Sequence, residues 1–403
     1  MFNHSISLNP ADKIVLLVAK LSIKQPEIDE IDNCLSKITD WEAFTIQIIK
    51  RGMAGLFFNK ITQFKNKDLI PADNLLLIEQ AYLRTVNRSV LLLGHFSIIV
   101  AELQKADIEV IALKGVYLSE NLYKAIGLRQ FSDIDILIPV PKAHQAVQIL
   151  QKLGYNYKES VPVSEFIRAK EDKVHLPPMY LNGVSVELHI KLHSANQPYE
   201  MNIDRVFATR IPVEINGSKL FALDFMHQLI HITLHTHKHF DEGNVNFTSF
   251  TDIVNLINSL PEDFYWSSFV TLCDLYNATE TVFKYLILIQ QFYSINVIPE
   301  DNLDKYSSKV DDKFRTQFVR YIQGYKYVET STTAIPGHIN SLRMLKNPLD
   351  IAKYLIDIFF PPKKFMIEKY AIKNHKLYVF YYPYRYLTIF SGLWQIFTKK
   401  TKT

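Results

Sequence analysis

Phe131-Ser132-Asp133-Ile134-Asp135-Ile136-Leu137-Ile138 sets two carboxylates two residues apart in a run of β-branched and apolar residues. In a strand, successive side chains point to opposite faces. Asp133, Asp135 and Leu137 therefore share one face, and Ile134, Ile136 and Ile138 the other. The aliphatic face suits a core. The two carboxylates meet one space, where they repel unless a cation or a proton lies between them. Such a pair suits Mg²⁺ (or Mn²⁺), a hard ion often held by one or two carboxylates plus substrate phosphates. Paired acids on a strand also serve as edge-strand solubility devices, so the pair alone leaves both readings open.

Working outward, residues 108–113 form a short β-rich run that Lys114-Gly115 ends. A helix is expected over 116–126, and Gly127-Leu128-Arg129 turns the chain into the acidic strand. Pro139 and Pro141 close that strand; 142–153 reads as an amphipathic helix with Gly154 as its C-cap. The order is β-α-β-α. Two hairpins follow. Asn182-Gly183 lies between apolar runs at 176–181 and 184–192, and Asn216-Gly217 between 211–215 and 219–223. Asn-Gly flanked by apolar runs is a strong hairpin cue. Along 184–193, Glu187, His189, Lys191 and His193 share one face, opposite Val186, Leu188, Ile190 and Leu192. That polar face suits a cleft, or the solvated side of an antiparallel sheet.

The flanks read as helical. Asn9-Pro10-Ala11-Asp12 is a helix start. Asp40 is placed to cap a helix from Trp41, and 74–105 carries a sustained apolar period. Beyond Asp224, helices are expected to about His239 and over 250–260, 264–276 and 279–292, then a loop over 301–312 before another helix. Loops are expected at 331–336 and 361–364. At 403 residues the chain exceeds one average domain. Its texture divides into a helical region 1–106, an α/β core 107–223 and a helical region 224–403.

Composition narrows the classes. Apolar residues are 48%, charged residues 21% and the net charge is only +4, so the chain is globular and lacks the basic excess that grips duplex nucleic acid. Cys34 and Cys273 suit two reduced thiols rather than a disulfide framework. The start lacks a basic segment followed by an apolar run, and the apolar stretch 91–103 is broken by His95 and Glu102. The expectation is a cytoplasmic protein without a membrane span.

Leu113-Lys114-Gly115, Gly127-Leu128-Arg129, Ser132-Asp133-Ile134-Asp135 and Val186-Glu187-Leu188-His189 together resemble the DNA polymerase beta-like nucleotidyltransferase superfamily. More narrowly, they are similar to its bacterial branch of uncharacterised nucleotidyltransferases. The His-rich helix at 229–239, Asp252-Ile253, and Phe359-Phe360-Pro361 leading to Met366 and Tyr370 add to the likeness. The resemblance implies an α+β fold: a mixed-sheet core flanked by N- and C-terminal helical regions. It implies transfer of a nucleoside monophosphate from an NTP to a small-molecule, peptide or protein acceptor, with release of pyrophosphate. Asp133, Asp135 and Glu187 would hold metal, with Glu187 a candidate base. Lys114, Gly115 and Arg129 would meet phosphate, and Ser132, His189 and Lys238 would complete the nucleotide side. In two respects the chain departs from the superfamily: Gly115 is followed by Val116, where a hydroxyl or second glycine is usual, and the gap from this turn to Asp133 is longer than usual. Lys114 or backbone N–H groups would then serve.

The first departure motivates a different class of function, a non-catalytic, antitoxin-like nucleotide-binding regulator. A third reading rests on His227, His231, His235 and His239, which recur every four residues and so stack along one helix face. They could line the cleft, with His235 or Lys238 facing phosphate or acceptor, hold Zn²⁺ in a His-based metallohydrolase, or pack. The run lacks the Glu of His-Glu-x-x-His and has no Cys nearby. The tail 377–403 is aromatic and basic; it suits packing on its own domain or a membrane surface.

Overall fold

The computed structural model describes residues 8–157, 174–193, 197–199, 201–324, 348–361 and 374–387, with a few positions between 363 and 372. The loop expected at 331–336 lies outside these residues, as does the tail beyond 387. The fold is α+β. Helices α1 (Pro10–Val18), α2 (Gln25–Leu35), α3 (Trp41–Lys50), α4 (Ala54–Lys60) and the long α5 (Ala72–Lys105) come first. Then follow β1 (Ile111–Ala112), α6 (Lys114–Asn121), β2 (Asp133–Leu137), α7 (Ala143–Lys152), β3 (Asn156–Tyr157), β4 (Met179–Leu181) and β5 (Val184–His189). Next come α8 (Ile203–Thr209), β6 (Ile211–Ile215), β7 (Ser218–Ala222), α9 (Phe225–Asp241), α10 (Phe247–Ile257), α11 (Trp266–Leu275) and α12 (Thr279–Tyr293). Helices α13 (Glu300–Tyr306), α14 (Asp312–Ile322) and α15 (Pro348–Phe359) follow.

Local chemistry explains most boundaries. Asn9, Asp40 and Asp224 each accept a backbone N–H in the first turn of the helix they cap. Both Asn-Gly turns have the two central residues at positive φ, with Asn182 at 49° and Gly183 at 76°, and Asn216 at 47° and Gly217 at 74°. That is the geometry of a type I′ hairpin. The strand expected from 176 begins only at Met179, because Pro177 and Pro178 carry no N–H for the ladder. The helix expected over 116–126 runs instead from Lys114 to Asn121. Part of the loop expected at 301–312 is helical: α13 occupies Glu300–Tyr306, with Glu300 and Asp301 in its first turn, where carboxylates favour the helix N-terminus.

The seven strands lie in the order β3-β4-β5-β2-β1-β7-β6. The pairs β1·β7 and β2·β5 are parallel and the others antiparallel, so the sheet is mixed. One face is aliphatic. Ile134, Ile136, Val186 and Leu188 pack with Leu92, Phe96, Ile99 and Leu103 of α5 and with Ala146 and Leu150 of α7. Helix α5 is long and apolar enough, by length and composition, to cross a membrane, which the broken run at 91–103 did not suggest. Its inward face is buried along most of its length by the protein itself. A second core joins residues far apart in the chain: Ile14, Phe44 and Phe57 share it with Phe250, Tyr285 and Phe318. Helices α1, α3 and α4 thus share one core with α10, α12 and α14.

Candidate functional site

Parallel pairing of β2 with β5 sets Asp133 opposite Ser185 and Asp135 opposite Glu187. Because both strands alternate, Asp133, Asp135, Glu187 and His189 emerge on the face away from α5 and α7. They line a cavity of about 340 Å³. Its other walls come from the Lys114-Gly115 turn, the segment 129–132, helix α9 (His231, His235, Lys238, His239) and the start of α10.

Asp135 is the centre of the charge network. Its Oδ1 accepts from Lys114 Nζ at 2.9 Å and lies 2.7 Å from His189 Nε2. Burial pushes its pKa up, but the Lys114 ammonium and His189 override it and hold the carboxyl well below the usual range. Glu187 Oε2 is 3.4 Å from His175 Nε2 and 3.7 Å from His189 Nε2. Burial opposes ionisation of Glu187 too, and its histidine neighbours, His189 first, leave it below the ordinary value. Asp133 is different. It has no hydrogen-bond or ion-pair partner among the described residues, and burial, then the charges of Asp135 and Glu187, raise its pKa to about 6. The site holds one unpartnered carboxylate beside two partnered ones.

Lys114 reaches Asp135 because its backbone is left-handed, with φ 42°, rare for a lysine. Burial works against its charge and the facing carboxylates restore it. Gly115 follows because Phe131 leaves no room: a Cβ there would lie 2.8 Å from the Phe131 Cβ. Gly115→Ala is expected to push Phe131, and with it the start of β2, at a cost of about 1–3 kcal/mol. Chemical denaturation would measure that cost. Helix α6 begins at this turn without a side-chain cap, so its first N–H groups are available to an anion.

Arg129, expected as a phosphate contact, is committed elsewhere. Its Nε and Nη2 donate to the two carboxylate oxygens of Asp252 at 2.8 and 2.7 Å, and Tyr123 Oη donates to the same carboxylate at 2.9 Å. This buried fork ties the chain before β2 to α10. Ser132 lies on the rim, with its carbonyl accepting from Arg88 Nη2 at 2.7 Å. Lys238 lines the cavity from α9.

The histidine helix divides by position. His227 is spent on packing: its Nδ1 lies 2.6 Å from Asp224 and its Nε2 2.7 Å from Tyr276 Oη. His231 is only 1% exposed, and among the described residues neither ring nitrogen has a hydrogen-bond partner. Burial holds His231 and His235 well below the ordinary histidine pKa, so both are neutral at pH 7. Among the described residues, the group with donor atoms close enough for one metal ion is Asp135, Glu187 and His189, all within 4.8 Å, and not the His helix.

Sequence reading missed His175. It precedes an apolar run without any pattern, and reaches the site only through an isolated bridge to His189. It also missed Gln130, Asn244, Asn246, Thr248 and Ser249, which line the cavity from loops and a helix start and carry no periodic signal.

A mixed sheet presenting carboxylates from adjacent parallel strands, beside a lysine-glycine helix start and under a helical cap, is the layout of a nucleotidyl-transfer enzyme. Residues 37–294 match the model of a family described as uncharacterised nucleotidyltransferase, well over half of the chain, and the chain belongs to that family. A search of curated proteins found no match.

Proposed function

We propose that the protein moves a nucleoside monophosphate from an NTP to a hydroxyl-bearing acceptor other than duplex nucleic acid, using a divalent cation at Asp133, Asp135 and Glu187. The observation that carries this reading is the direct cross-strand pairing of Asp135 with Glu187, with Asp133 on the same face. The donor set suits Mg²⁺ or Mn²⁺: Asp135 and Glu187 bring donor atoms within 4.8 Å of one another and of His189, and Asp133 faces the same space without a partner among the described residues. His189 adds a nitrogen to that set, which suits Mn²⁺ better than Mg²⁺. The cation would neutralise charge on the triphosphate and polarise the α-phosphorus.

The protein's own groups supply the rest. Lys114 and the free N–H groups of the α6 start face the phosphates. The acceptor oxygen attacks the α-phosphorus, the bond to the β-phosphate oxygen breaks, and pyrophosphate leaves. The hydroxyl proton passes to Glu187, with the neutral imidazole of His175 behind it. Two reduced thiols, both buried, suit a cytoplasmic setting.

The test is transfer of label from each of the four α-labelled NTPs, with Mg²⁺ or Mn²⁺, into a host extract. A labelled acceptor together with released pyrophosphate supports the reading. Binding without transfer favours the regulatory alternative, which has one observation behind it: Lys114 Nζ contacts Asp135 where a cation would.

The electrostatics of Asp133 give an independent check. Its folded pKa of about 6 lies above the ordinary 3.8. The folded state therefore favours the protonated acid, and its charge opposes folding above pH 6 and not below about pH 4. A cation removes that penalty. Millimolar Mn²⁺ is expected to raise the melting temperature by several degrees at pH 7.5, corresponding to about 1–2 kcal/mol. At pH 5 the gain should shrink to less than half. Scanning calorimetry at the two pH values measures it, and an equal gain at both would overturn the assignment of Asp133 to the cation.

A further inference from the structure

A second cavity, also about 340 Å³, lies against the first. The two share Gln130, Phe131 and Ser132, the residues immediately before Asp133. The second cavity is walled by α5 and by the turn between α3 and α4, and its charged groups are Arg84 and Arg88. Among the described residues no carboxylate lines it. Arg84 has no acidic partner among the described residues. Arg88 spends Nη2 on the carbonyls of Ser132 and Gly183, at 2.7 and 3.0 Å, so it braces the start of β2 against the β4–β5 turn. Neither bond neutralises its charge.

The wall between the cavities is thin. A Cβ placed on Gly52, in the second cavity, would lie 2.9 Å from Thr248 Cγ2 and 3.0 Å from Gln130 Oε1. Thr248 lines the first cavity, and Gln130 lines both. Gln130 stands between them with Phe131 and Ser132. Two guanidiniums without acidic partners among the described residues, in a concave space beside a carboxylate centre, suit an oxyanion. The NTP triphosphate is not that oxyanion, because Lys114, Gly115 and Lys238 line only the first cavity. The second cavity meets the site instead beside Asp133, the unpartnered carboxylate.

We infer that the Arg84–Arg88 cavity binds an anionic group of the acceptor, a phosphate or carboxylate, while the acceptor hydroxyl reaches past Gln130 to the carboxylate centre. The assignment of the ligand to the acceptor rests on the transfer reading above; the oxyanion site itself does not. It narrows the acceptor to molecules carrying an acidic group as well as the reacting hydroxyl.

The site is tested without turnover. The full chain, selectively ¹⁵N-labelled at arginine and free of divalent metal, is titrated with inorganic phosphate and, separately, with malonate. The Nε–H resonances of Arg84 and Arg88 report the second cavity, and that of Arg129 reports the first. Saturable shifts at Arg84 and Arg88 that leave Arg129 in place are expected, and the anion giving the tighter curve identifies phosphate or carboxylate as the group preferred. Arg84→Ala, an exposed position, should weaken that binding at least fivefold, while Asp135→Asn leaves it unchanged. Shifts confined to Arg129, or none at Arg84 and Arg88, overturn the site. Once an acceptor is in hand, Arg84→Ala should raise its KM at least tenfold with the KM for NTP unchanged. An unchanged acceptor KM would overturn the link to the acceptor, whereas failure of transfer in the parent protein would overturn the transfer reading and leave the anion titration standing.

Discussion

Asp135→Ala and Asp133→Asn are both expected to abolish transfer, by roughly a thousandfold or more, yet to move stability in opposite directions. Asp135 is the partner of a nearly buried ammonium and a buried imidazole. Removing it strands Lys114, whose side chain is only 13% exposed and has no other hydrogen-bonded acceptor among the described residues. Breaking a buried pair from one side costs about 3–5 kcal/mol. Asp133 has no partner to strand, and it is repelled by Asp135 and Glu187. Its neutral isostere removes that repulsion. Asp133→Asn should therefore be about 1 kcal/mol more stable than the parent at pH 7.5 without metal, and should lose the Mn²⁺-induced rise in melting temperature. Parallel urea titrations and label-transfer rates on the two variants test this. Equal destabilisation by both would show that Asp133 has a partner in solution, and retained transfer by either would remove that residue from the reaction.

The second large effect belongs to Arg129 and Asp252. Both are buried, and the fork between them is completed by Tyr123. Arg129→Met leaves Asp252 as an uncompensated charge beside an apolar helix, at a cost of about 3–5 kcal/mol. Asp252→Leu strands the guanidinium at similar cost. The double variant Arg129→Met with Asp252→Leu should recover more than half of the loss, because no buried charge remains. Activity should not recover with it. The fork holds the segment 129–132 against α10, and that segment delivers Asp133 into the cavity. A double variant restored in stability yet at least tenfold slower in transfer would separate positioning from folding. Activity that returned with stability would reduce the pair to a fold brace.

Much of this arrangement was legible in the chain, and the reasons are local. The alternation around Asp133 and Asp135 assigned two faces without knowledge of any neighbour, because strand geometry leaves no other choice. The Asn-Gly pairs specified both hairpins, since their positive φ values exclude most other residues. Asp224 marked the start of the His-rich helix through its own cap. The mistaken boundaries have local causes as well: Pro177-Pro178 shortens a strand, and the acidic first turn of α13 makes a helix where polarity suggested a loop.

What no local pattern carried is pairing across the chain. Arg129 reads as a free cation until the fold brings Asp252 to it across 123 residues. His175 has no motif, and enters the site because a bridge to His189 sets it beside Glu187. The histidines at four-residue spacing look alike in sequence; the neighbours of each decide that His227 is bound in packing and that His231 is left with two unpartnered nitrogens. Likewise Arg84 and Arg88 are ordinary helix-surface residues until the turn at Gly52 and the segment 130–132 close a cavity around them. The sequence by itself determined that two acids share a strand face beside a lysine-glycine turn, because backbone stereochemistry acts over neighbouring residues. Only the tertiary structure decided which charges are spent on one another and which remain for a ligand, because that depends on distances between side chains the chain keeps far apart.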